Sequence, residues 1–176
     1  SAYNNGQLHM DTIFGNRNTK YFLKNVKECL DGGYILSVIT EKEKNSGEKL
    51  KFTWLLKTND LGSTIWERPF IDSSHHNISS LIVSKYGGFY VFVYGKPDKP
   101  RRRTQQRHIY KLNKLGENLS TKTIEVRERN AIIYSIKENI DESLIGCGST
   151  PPADPMRVPV TDGYLPPISK EGELLW

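Results

Sequence analysis

The sequence predicts an all-β protein made of about three four-stranded antiparallel units. Three observations carry this reading. First, one strand–turn–strand stretch occurs three times, as "WLLKTNDLGSTIWERPF" (54–70), "HIYKLNKLGENLSTKTI" (108–124) and "YLPPISKEGELLW" (164–176). Second, the turn glycines Gly62, Gly116 and Gly172 of these copies lie 54 and 56 residues apart. Third, the segments between them are short and rich in Val, Ile, Tyr and Phe, with "FYVFVY" apolar throughout, and no stretch has the period of a useful helix.

The elements follow in order. The upstream halves repeat as well: "NVKECLDGGYILSVIT" (25–40) matches "SIKENIDESLIGCGST" (135–150), placing Val26 on Ile136 and Leu30 on Ile140. "LIVSKYGGFYVFVYG" (81–95) is the same unit, with Gly87-Gly88 on Gly32-Gly33. Glycine suits both kinds of turn because it takes positive φ without a Cβ clash. Each unit therefore has four strands, a to d. The first has a at 20–28, b at 33–40, c at 51–58 and d at 64–70. The second has a at 78–85, b at 89–95, c at 108–114 and d at 119–126. The third has a at 130–137, b at 143–149 and c at 160–169, and its d begins at Leu174. Residues 10–15, containing "MDTIF", align with "WERPF" and read as a spare d strand; residues 1–9 read as a flexible leader or a cloning remnant.

Four-stranded units at this period are the signature of β-propeller blades. The stretch "DGGYILSVIT…FTWLLKTNDLGSTIWERPF" resembles the blades of secreted bacterial propellers. Its turn "TNDLGSTIW" is similar to the Asp-box of sialidases and related propellers, with Thr58, Asp60, Gly62 and Thr64 on the pattern and Trp66 one place late. The other two copies are degenerate. The resemblance implies blades at 20–70, 78–126 and 130–176, the third incomplete, and an extracellular, periplasmic or cell-surface location. In that family the box is a structural turn remote from the active site, so it speaks for the fold and not for catalysis. Propellers use about 4–8 blades. Three are expected either to be completed by a second chain, with residues 10–15 exchanged in a homodimer, or to form part of a longer propeller.

The formal charge of +5 is confined to one loop. "KPDKPRRRTQQR" (96–107) holds six basic residues against Asp98, which accounts for the whole excess. A basic loop without interleaved aromatic residues does not read as a nucleic-acid surface. No apolar run reaches the roughly 18 residues of a membrane-spanning helix. Cys29 and Cys147 make no metal cluster; a disulfide and two buried thiols both fit the sequence.

Candidate ligand-binding residues are Arg101, Arg102, Arg103 and Arg107, whose guanidinium forks suit planar anions, and the rings of Trp54, Tyr90 and Tyr94, which suit a sugar face. The same rings also suit packing between sheets. His75 and His76 are adjacent, point to opposite faces of a strand, and read as a polar connection. No nucleophile–base constellation and no glycine-rich phosphate loop is present, so no catalytic residue, metal or cofactor is expected. The expected function is a non-enzymatic module binding a glycan or a protein. The alternatives are a fragment of a sialidase-like glycoside hydrolase and a structural subunit of a larger assembly.

Overall fold

The computed structural model describes residues 19–44, 46–47, 49–71, 77–94, 107–124, 132–150, 162–164 and 167–169. The proposed exchanged strand at 10–15, the leader, His75, His76, Arg101, Arg102, Arg103 and Trp176 lie outside them. The described residues contain strands and turns and no helix. The chain divides into two units, residues 1–74 and 75–176.

The first unit holds one antiparallel sheet in the order β1 (Lys20–Glu28), β2 (Tyr34–Glu43), β3 (Lys49–Thr58) and β4 (Thr64–Ile71). Opposite residues of antiparallel strands share a face, so the register fixes two faces. Val26 opposes Leu36 and Leu23 opposes Val38 on one; Lys27 and Lys57 flank Ile35, and Leu55 opposes Ser37, on the other. We call these the back and the front. Ile35 and Leu55 are fully buried.

The second unit holds two sheets. One is β5 (Asn77–Val83), β6 (Phe89–Tyr94), β7 (Arg107–Leu112) and β8 (Asn118–Ile124), in sequence order. The other has β10 (Leu144–Thr150) paired on one side with β9 (Ile132–Glu138) and on the other with two short pieces, β11 (Asp162–Tyr164) and β12 (Pro167–Ile168). β11 and β12 lie on β10 in one continuous register, Tyr164 opposite Gly148 and Pro167 opposite Ile145, and Pro167, which opens β12, has no N–H for the ladder. The two sheets pack through one core: Tyr90, Phe92, Ile109 and Ile124 from the front of the β5–β8 sheet meet Ile133, Ile136, Leu144 and Ile168 from the back of the β9–β12 sheet.

All three sheets carry the same irregularity. The ladder between the first two strands of each skips one residue, at Lys24, Ser79 and Tyr134, which are 55 residues apart each time. A bulge adds local twist and re-aims the strand. The third-to-fourth ladder skips Ile65 in the first sheet and Leu119 in the second. The repeat read from the sequence is thus present at the level of single hydrogen-bond registers.

Candidate binding surface

In the first two meanders the first and third turns lie at the same end of the sheet. At the first turn Cys29 N–H donates to Gly33 O at 2.7 Å, and the equivalent bonds are Ser84 to Gly88 at 3.1 Å and Asn139 to Ser143 at 2.8 Å. Gly33 and Gly88 are forced: a Cβ there would lie 2.1 Å from Thr58 O and 2.2 Å from Leu112 O. The third turns are Asn59–Ser63 and Asn113–Glu117. The Asn59 side-chain oxygen accepts from Leu61 N at 3.1 Å and Ser63 N at 2.8 Å, and the Asn113 oxygen accepts from Leu115 N and Glu117 N, both at 2.9 Å. The side chain that closes the Asp-box-like turn is therefore Asn59, with Asp60 exposed beside it. The degenerate second copy closes in the same way through Asn113. An Asn two residues before an amide mimics a turn of backbone and holds the tip fixed.

In the first sheet the two turns are clipped to one another. Lys57 Nζ, on a residue only 4% exposed, reaches Asp31 Oδ1 at 3.0 Å and Oδ2 at 2.9 Å, and Thr58 O at 2.8 Å. Three donors meet three acceptor atoms, so this amine is a fastener. The Lys57 bond holds the Asp31 carboxyl below the usual carboxylate value. In the second unit the clip runs between sheets. The buried Glu138 carboxylate accepts from Ser84 Oγ at 2.9 Å and Lys85 N at 2.8 Å, and Tyr86 Oη donates to Ile140 O at 2.9 Å. Lys111 lies 5.4 Å from the centre of the Tyr90 ring and 3.7 Å from Glu142 Oε2. Glu142 takes φ 66°, at the place occupied by Gly32 in the first sheet and Gly87 in the second.

These fastened turns present apolar tips. Leu30 and Leu61, at one end of the first sheet, are 71% and 72% exposed. In the second unit Tyr86, Leu115 and Ile140 are also strongly exposed, Ile140 at 84%.

The rings named from the sequence are placed differently from these tips. Tyr90 is buried in the core between the two sheets of the second unit, and burial pushes its hydroxyl up. Tyr94 is half-buried, with its hydroxyl on Ile133 O. Trp54 is half-buried and its indole N–H donates to Thr40 Oγ1 at 3.1 Å. Packing thus occupies the rings of Tyr90 and Tyr94. Arg107 is buried at the start of β7, opposite Tyr94. Of the turn residues, Thr58 is buried, Gly62 has φ 80°, Thr64 is exposed opposite Thr58, and Trp66 is half-buried opposite Lys57. Both cysteines are free; Cys29 is buried, which pushes its thiol up to about 11, and Cys147 is exposed. Among the described residues no group of three His, Cys, Asp or Glu side chains is placed to hold a metal ion, and no helix is long and apolar enough to cross a membrane.

No protein-family model matches this chain, and no curated protein is similar to it at a significant level.

Proposed function

We propose that the sheets are propeller blades and that the chain is a non-enzymatic binding module of the cell exterior, which takes a protein ligand at the turn tips. One observation supports this most: the exposed Leu30, Leu61, Tyr86, Leu115 and Ile140 all stand on turns whose backbone is fastened by side chains. Apolar side chains on rigid turns lose little entropy when covered, which is what a protein interface rewards. Leucine and isoleucine tips give a sugar no hydroxyl partners, so they favour the protein half of the expectation over the glycan half. The polar contacts around Lys57 and Glu138 are spent on holding the turns.

A peptide display library selected on the chain tests this reading. Bound peptides should be lost when Leu30, Leu61, Leu115 and Ile140 are all changed to Ser. Retention of every peptide by that variant would overturn the reading, as would turnover of any glycoside in a hydrolysis panel.

A further inference from the structure

The contact between the two sheets of the second unit is a template. Besides the apolar core and the Tyr86 and Lys111 contacts, four hydrogen bonds join them. Ile136 N donates to Ser80 Oγ at 3.3 Å, Tyr94 Oη donates to Ile133 O, and Glu138 takes Ser84 Oγ and Lys85 N. Each bond links the front or the first turn of one sheet to the back of the next.

The repeat carries every one of these positions one sheet onward. The back of the first sheet has Leu23 where the third has Ile133, Val26 for Ile136, and Glu28 for Glu138. Yet Leu23 and Val26 are 58% and 52% exposed, against 0% and 5% for Ile133 and Ile136. In the β5–β8 sheet the same two places are Ile78 and Leu81, both buried. The front of the third sheet is exposed as well: Ile145 and Cys147 stand where the second sheet buries Tyr90 and Phe92.

On the back of the first sheet the exposed positions are those of β1, with Leu36 and Leu56 beside them buried, and most of the polar groups are complementary between β1 and the front of the third sheet. Ser135 stands in the place of Ser80, ready to accept from Val26 N. Ser149 stands in the place of Tyr94, but its short side chain pairs with Tyr134 Oη at 2.9 Å, so the Tyr94–Ile133 bond has no counterpart here. Asn139 and Ile140 stand in the places of Ser84 and Lys85, with an amide side chain and a backbone N–H for the Glu28 carboxylate. Exposed apolar β-strand positions whose neighbours repeat the Ser80, Ser84 and Lys85 roles call for a matching sheet.

We infer that the back of the first sheet is a docking face for the front of the third sheet of a second copy of this chain, with Glu28 as its hook. The contact is head to tail, since two different patches meet. It needs no exchange of the residues at 10–15.

Sedimentation velocity over rising concentration tests it with the full chain. The wild type should exceed the monomer mass. Val26→Lys and Ile145→Lys should each be monomeric with unchanged far-UV circular dichroism, because both positions lie on the surface of a single copy. Glu28→Gln should weaken association on the order of tenfold. Mixing the two lysine variants is the decisive arm: each keeps the face the other has lost, so the mixture should form a one-to-one dimer and stop there. A wild type that stays monomeric would assign the face to some other protein or segment and overturn the inference. Association that survives both lysine substitutions, or monomeric variants that fail to combine, would overturn it too.

Discussion

Lys57 and Lys111 occupy the same place in the repeat, 54 residues apart, and serve different ends. Lys57 turns inward along its own sheet and fastens Asp31 to Thr58. Lys111 reaches sideways, over Tyr90 and toward Glu142 of the neighbouring sheet. The difference shows where each unit gets its rigidity. The first unit stiffens one sheet from within by tying its two turns together. The second stiffens a pair of sheets by tying the first turn of one to the end of β9 in the other through Glu138.

The comparison can be broken at either end. The largest effect belongs to the shared core of the second unit. Phe92→Ala should cost about 3–5 kcal/mol, read from denaturant unfolding, because it empties a fully enclosed position. Gly88→Ala should follow at about 2–4 kcal/mol, since its Cβ would meet backbone at Leu112 and cannot be accommodated by a rotamer change. Glu138→Ala strands the Ser84 hydroxyl and the Lys85 N–H. It should cost about 1.5–3 kcal/mol, and hydrogen exchange should quicken in β5 and β9 while β2 and β3 keep their protection.

The intrasheet clip is worth less, because the Asp31 side chain is 59% exposed and solvent screens it. Asp31→Ala should cost about 1 kcal/mol, whereas Lys57→Met, which removes the buried charge itself, should be close to neutral. The pH dependence follows the same contact. The folded-state pKa of Asp31 is depressed, so its contribution is present above the ordinary carboxylate value of 3.8 and is lost as pH falls through the lower folded value. Cys29 acts at the opposite end of the pH scale. Its thiol is held neutral by burial, so the unfolded chain loses a proton first and stability should decline between pH 9 and about 11. A thiol reagent at neutral pH should modify Cys147 quickly and Cys29 slowly.

Much of the fold was legible in the sequence. The first strand was read at 20–28 and is Lys20–Glu28; glycines mark the described turns of the first two sheets because positive φ restricts the choice of residue, whereas the first turn of the third sheet places Glu142 there. Of the third c strand, read as one piece at 160–169, the described residues 162–164 and 167–168 both pair with β10, in one register. The fasteners were harder to see. Lys57 and Asp31 are 26 residues apart, and nothing in a pattern of polar and apolar residues says that two particular charges meet. Asn59 and Asn113 do leave a signal, each three residues before its glycine, but the resemblance to a known turn points to Asp60 instead. The bulges at Lys24, Ser79 and Tyr134 left none, because a skipped residue changes the register of a strand without changing its composition. The aromatic residues were legible as large and apolar; only packing decides that Tyr90 belongs to a core and Tyr86 to a tip.

The central claim is that equivalent apolar positions are closed in the second unit and open in the first until another copy covers them. Hydroxyl-radical footprinting with residue-level mass spectrometry measures this directly. At dilution, Leu23 and Val26 should be oxidised readily and Ile133 and Ile136 should be protected; as concentration rises, Leu23 and Val26 should become protected while the others stay unchanged. Equal oxidation of all four, or protection of Leu23 and Val26 at concentrations where the chain sediments as a monomer, would contradict the account.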